Sequence, residues 1–150
     1  SKQGRKPHMF KYLAALSLTL GLVAGAVADD KPYKEGAVTD VAWIRVKDGK
    51  LLDYIAYLNG NYKQEMEAYK KAGLVTEYKI YQVAPRHPQD PNLILTVTYP
   101  NYGALDHHAD FDAVTAKIEG SLKQADASYG SRESVREVLG SELIQELILK

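Results

Sequence analysis

The spacing of apolar residues along this chain switches between two periods, and each switch marks an element. Val41, Ala42, Trp43, Ile44, Arg45 and Val46 form a β-branched and aromatic run that ends at Asp48-Gly49, a turn signal, so a first strand is predicted over 41–46. Residues 29–40 before it are polar, contain Lys31-Pro32 and Glu35-Gly36, and show no period, which predicts a flexible lead-in. Leu51, Ile55, Leu58, Tyr62, Met66 and Tyr69 then recur at steps of three and four, the signature of one helix face. That helix is predicted over 50–72, with Gly73 as its left-handed cap and a kink or break at Asn59-Gly60-Asn61, where helix formers are weak.

Strands are predicted over 74–84 and 93–99. Between them Pro85, Pro88 and Pro91 demand a loop, because proline lacks the amide that a ladder needs. Pro100-Asn101-Tyr102-Gly103 ends the third strand, and Ala104, His107, Phe111, Val114, Ile118, Leu122 and Ala125 line one face of a second helix. Tyr129-Gly130-Ser131 breaks it, and 131–140 reads as a short helical turn capped by Ser131 and closed by Gly140. The apolar run Leu143, Ile144, Leu147, Ile148, Leu149 predicts a fourth strand over 141–150. The order β-α-β-β-α-β defines an α+β, ferredoxin-like arrangement with a four-stranded antiparallel sheet.

In such a sheet one face meets the helices and the other faces water, so strands should alternate. Here they do not alternate cleanly. Ala42, Ile44, Val46, Leu93, Leu95 and Val97 are assigned to the helix side, which sends Val41, Trp43, Arg45, Ile94, Thr96 and Thr98 to the open side. On the fourth strand Ile144 and Ile148 oppose Leu143, Leu147 and Leu149. Each apolar side chain contributes on the order of 1.5 to 3 kcal/mol when buried, and a monomer rarely leaves such a patch in water. The expected cover is a second copy, packed sheet to sheet as a homodimer.

The N-terminal segment changes the compartment. From Met9 a short basic start runs into an uncharged apolar stretch, Leu13 to Val23, followed by Ala24-Gly25-Ala26-Val27-Ala28. That is the pattern of a secretory signal cleaved after Ala28, and the apolar stretch is shorter than the roughly 20 residues of a membrane-spanning helix. Residues 1–8 read as a leader ahead of Met9, or else as a long basic start to the signal, and residues 41–150 as the folded domain. A periplasmic or secreted product beginning at Asp29 is expected. The chain holds 19 bases and 19 acids, and residues 1–28 hold four of the bases and no acid, so the processed chain carries about −4. No basic stripe remains for nucleic acid. The absence of cysteine excludes disulfides, thiolate metal sites and a cysteine nucleophile.

Candidate chemistry is sparse. His107, His108, Asp110 and Asp112 are the densest group of possible metal ligands, but no third ligand stands at a diagnostic spacing, and His107 falls in line with Phe111, Val114 and Ile118 as a packed residue. No metal or cofactor is therefore expected. There is no G-x-S-x-G elbow and no glycine-rich phosphate loop. Arg86-His87 between prolines suits a ligand clamp or an exposed loop tip. The best residual site is the open face: Trp43, Arg45, Tyr81, Thr96 and Thr98 combine apolar area with few polar contacts, the usual form of a small-molecule site. The same residues would also serve to fill a dimer interface, with Arg45 paired to Glu146 or Gln145. An open or a filled interior separates the two.

Element order, the Ala72-Gly73 helix stop before a tyrosine-rich strand, the proline-rich hairpin and the terminal Glu146-Leu147-Ile148-Leu149-Lys150 strand are similar to the dimeric α/β-barrel superfamily. Within it the chain most resembles exported members related to the antibiotic-biosynthesis-monooxygenase and NIPSNAP-type groups. The resemblance implies two domains whose sheets enclose a barrel-like interior. The superfamily spans cofactor-free oxygenases, isomerases, haem enzymes and proteins with no assigned activity, so no residue receives a catalytic role from it. Were haem used, only His107 or His108 offers an axial ligand. The expected function is binding of a small, partly apolar ligand between the sheets. The alternatives are a non-catalytic envelope interaction protein and, more weakly, a cofactor-free oxygenase-like or isomerase-like enzyme.

Overall fold

The computed structural model describes residues 30–150, and the signal-peptide and leader readings lie outside them. Strand β1 (Tyr33–Val46) starts well before Val41, so the expected lead-in is largely strand. Its partner there is β4 (Arg136–Leu149): Tyr33 lies opposite Leu149, Lys34 opposite Ile148 and Glu35 opposite Leu147. A register shift between Glu35 and Val38 resets the alternation, which is why the local sequence shows no period.

Helix α1 (Leu51–Tyr57) passes through a π-helical turn (Leu58–Tyr62) into α2 (Lys63–Lys71). The interruption falls on the expected glycine, with Gly60 at φ −100°, ψ −106°. At the far end the Leu74 amide donates to the Tyr69 carbonyl and the Gly73 amide to that of Lys70, a Schellman cap that needs the positive φ of Gly73. Strand β2 is shorter than expected (Glu77–Gln82) and β3 falls where expected (Leu93–Tyr99).

A 3-10 turn (Tyr102–Asp106) leads into α3 (His108–Glu119), and α4 (Leu122–Ser131) follows after Gly120 at φ +91°. The predicted break at Tyr129-Gly130-Ser131 is only the end of α4, and the predicted helical turn over 131–140 is a 3-10 turn (Arg132–Ser134) leading directly into β4. Pairing of Arg136, Glu137 and Val138 with Val46, Arg45 and Ile44 overrides the helical propensity of that stretch. A second register shift, between Trp43 and Ile44, absorbs Leu139.

All strand pairs are antiparallel in the order β2-β3-β1-β4, the ferredoxin-like topology. The core lies on one side of the sheet, in two clusters. Ile44, Val46, Leu93 and Leu95 meet Tyr54 and Leu58 of the first helical segment, while Met66, Tyr69, Leu74 and Val75 gather Val97, Tyr99, Phe111 and Val114. Ile44, Val46, Leu93, Leu95 and Val97 are positions that the alternation assigned to the helix side.

Asp40 shares that side and is half-buried beside Tyr99, with carboxylate Oδ1 lacking a hydrogen-bond partner. Burial raises its pKa above the ordinary 3.8, so at neutral pH its charge opposes folding. Asp40→Asn should therefore raise the urea midpoint at pH 7. The gain should fade as pH falls through the raised value and vanish below 3.8, where the carboxyl is protonated in both states.

Candidate functional site

The open face of the sheet is laid out by strand register, since residues opposite one another in a ladder point the same way. One row runs Tyr81, Ile94, Trp43, Gly140; the next runs Lys79, Thr96, Val41, Glu142; a third runs Glu77, Thr98, Thr39, Ile144. Trp43, Arg45, Tyr81, Thr96 and Thr98 thus share this face. Its centre is half-buried even without a covering layer, while Tyr81 and Ile144 on the edge strands are 47% and 50% exposed.

The polar groups of the face are largely satisfied from within the chain. The Thr39 and Thr98 hydroxyls hydrogen-bond each other at 2.9 Å, and Thr96 Oγ1 donates to the Lys79 carbonyl at 3.5 Å. Arg45 donates from Nη2 to Glu137 and from Nη1 to Gln89 of the proline-rich loop. This corrects the expected pairing with Glu146 or Gln145. Gln145 lies opposite Val38, toward the other end of β4, and its Nε2 donates to the Gly36 carbonyl at 3.4 Å, while Glu146 packs against Gly36. The earlier start of β4 is what brings Glu137 opposite Arg45.

Arg45 therefore anchors the loop. Asp90 organises its tip, accepting the amides of Arg86 at 3.2 Å and His87 at 3.0 Å, and these bonds hold its carboxyl below the usual pKa. His87 is exposed at that tip. Between loop and sheet lies a cleft of about 350 Å³ in which Trp43 meets Val83, Ala84, Pro85, Arg86, Asp90 and Pro91. Of the loop residues on this wall, the sequence singled out Arg86 beside the prolines, while Val83, Ala84 and Asp90 carried no signal as site residues.

His107 is not packed with Phe111, Val114 and Ile118. It lies at the N-terminal boundary of α3 with its side chain 59% exposed, and Nδ1 is 3.4 Å from Asp110. No group of three His, Asp or Glu side chains among the described residues comes together as a metal site. The cluster that sequence reasoning missed sits on the helix side at the start of β4, where Arg132 and Arg136 stack against Tyr57 and Tyr129. Reading 131–140 as a helical turn hid it.

Neither the protein-family models nor the curated protein sequences give a match. Solved structures do. Protein SO0527 from Shewanella oneidensis superposes with a TM-score of 0.50 at 18% identity, covering 77% of this chain and 98% of that one. A dimeric ferredoxin-like protein from an uncultured marine organism gives 0.49 at 7% identity over 78% and 90% of the two chains. HapK from Hahella chejuensis gives 0.46 at 13% identity over 73% and 91%. The chain is an α+β protein of the ferredoxin-like fold, by the order and antiparallel pairing of its strands.

Proposed function

We propose that the protein is exported and works as a homodimer whose open sheet faces pack together, binding a small, partly apolar and uncharged molecule beside Trp43. The observation that carries this reading is the open face itself, where Trp43, Ile94, Tyr81 and Ile144 lie in adjoining rows on one side of the sheet and remain partly or half exposed. Covering what they still expose returns a part of the roughly 1.5 to 3 kcal/mol that full burial of such a side chain is worth. The cleft at Trp43 supplies an apolar wall of Val83, Ala84, Pro85 and Pro91 at the edge of that face. Glu137 and Gln89 already satisfy Arg45, and Asp90 offsets the charge of Arg86 on the cleft wall, so the favoured ligand carries no charge. Export rests on residues 9–28 and should show as a periplasmic product whose N-terminal sequence begins at Asp29.

Trp43 is the only tryptophan, so its fluorescence reports this site without a label. Titration with quinones, fatty acids and aromatic acids should quench or shift the emission with the neutral quinones and leave it unchanged with the acids. A Trp43 unresponsive to the whole panel would favour an interface filled by side chains, and with it the interaction-protein reading.

A further inference from the structure

Arg136 opposite Val46 points to the helix side of the sheet and is only 4% exposed. Its guanidinium carbon lies 4.7 Å from the centroid of the Tyr129 ring. Arg132 shares the same ring at 5.4 Å and lies 4.2 Å from that of Tyr57, with Nη1 donating to Ser128 Oγ at 3.0 Å. Two guanidinium groups thus share one aromatic ring. Arg136 also hydrogen-bonds the Tyr54 hydroxyl, yet among the described residues neither arginine is ion-paired. Glu137, the nearest acid in sequence to Arg136, is committed to Arg45 on the other face.

Cation–π contact compensates a desolvated guanidinium only in part, and an unpaired buried charge is strongly unfavourable. Arg136 Nε is buried with no hydrogen-bond partner. Arg136 also lines a cleft of about 350 Å³, whose wall includes Lys47, Tyr129, Glu133, Val138 and Glu137, the last neutralised by Arg45. We propose that this cavity binds a small carboxylate, held by Arg136 and Lys47 with its apolar part on the Tyr129 ring. The guanidinium fork matches a planar carboxylate, and with Glu137 taken up by Arg45 the cations Arg136 and Lys47 face Glu133 as the one acid of the wall without an ion pair. Glu133 on the same wall disfavours more highly charged anions such as phosphate.

The test is titration of the 15N-labelled protein with benzoate, with benzamide as its uncharged counterpart, followed by amide chemical shifts. Benzoate should give saturable shifts at Lys47, Tyr129 and Val138, and benzamide should not. Arg136→Gln should abolish the response, and Lys47→Gln, at an exposed position, should weaken binding about tenfold, as loss of one charged contact implies. If Arg136→Gln fails to fold by circular dichroism, Lys47→Gln decides alone. Equal shifts with benzamide, no saturable shift with benzoate, or undiminished binding in the folded variants would overturn the proposal. Trp43 lies on the opposite face, so its emission should stay unchanged throughout, which keeps this test separate from that of the sheet-face ligand.

Discussion

Raising the pH above about 10, where an ordinary tyrosine ionises, should unfold this protein in one cooperative step. Tyr54, Tyr57, Tyr62, Tyr69 and Tyr99 all have pKa values raised chiefly by burial, Tyr57 to about 12 against the opposing pull of Arg132. Tyr69 has a second cause, since its hydroxyl donates to Glu65 at 2.6 Å and a phenolate there would face a carboxylate. Each group stays protonated in the folded state while its unfolded counterpart ionises. Stability is therefore full below the unfolded value and falls as pH climbs toward the folded one. These rings belong to or pack against both core clusters, so their losses act on one unit. Absorbance at 295 nm and far-ultraviolet dichroism should change together in a steep transition. A gradual tyrosine titration centred near 10, with dichroism intact, would contradict the account.

Placing a charge on the open face should dissociate the dimer. Ile144 is half-exposed on β4 beside Thr39, so Ile144→Glu should disturb the isolated chain little. In a sheet-to-sheet dimer the new carboxylate would be buried, and Glu142 on the same face adds like charge. An uncompensated charge at an interface costs roughly 3 kcal/mol or more, which raises the dimer dissociation constant by about a hundredfold or more. Leu52→Glu is the control. Leu52 lies at the start of α1, on the helix side, and is 81% exposed, so the same charge there should leave association unchanged. Equal association of both variants would place the interface elsewhere.

What the sequence disclosed depended on whether an element is specified locally. Strand β3 was legible to the residue because Leu93, Leu95 and Val97 alternate with Ile94, Thr96 and Thr98 between clear stops. The Gly60 interruption and the Gly73 cap were legible because backbone preference alone decides them. Period two also placed Trp43, Arg45, Thr96 and Thr98 of the candidate site on one face, which Tyr81 shares through its pairing with Ile94. The first residues of β1 and of β4 were hidden, since Lys34-Glu35 and Arg136-Glu137 become strand only by pairing with the far end of the chain. That one error carried two others: it concealed Glu137 as the partner of Arg45, and it concealed Arg136 among the tyrosines. His107 fitted a helical period, yet α3 begins only at His108, and the residue that opens a helix need not share its buried face.

Sedimentation velocity of the processed chain at micromolar concentration measures the sheet-to-sheet dimer most directly. The apolar rows on the open sheet face predict a single species of twice the chain mass, lost in Ile144→Glu and kept in Leu52→Glu. A monomer across the same concentrations would contradict it, and would mean that the exposed area of Tyr81 and Ile144 has no second copy to cover it.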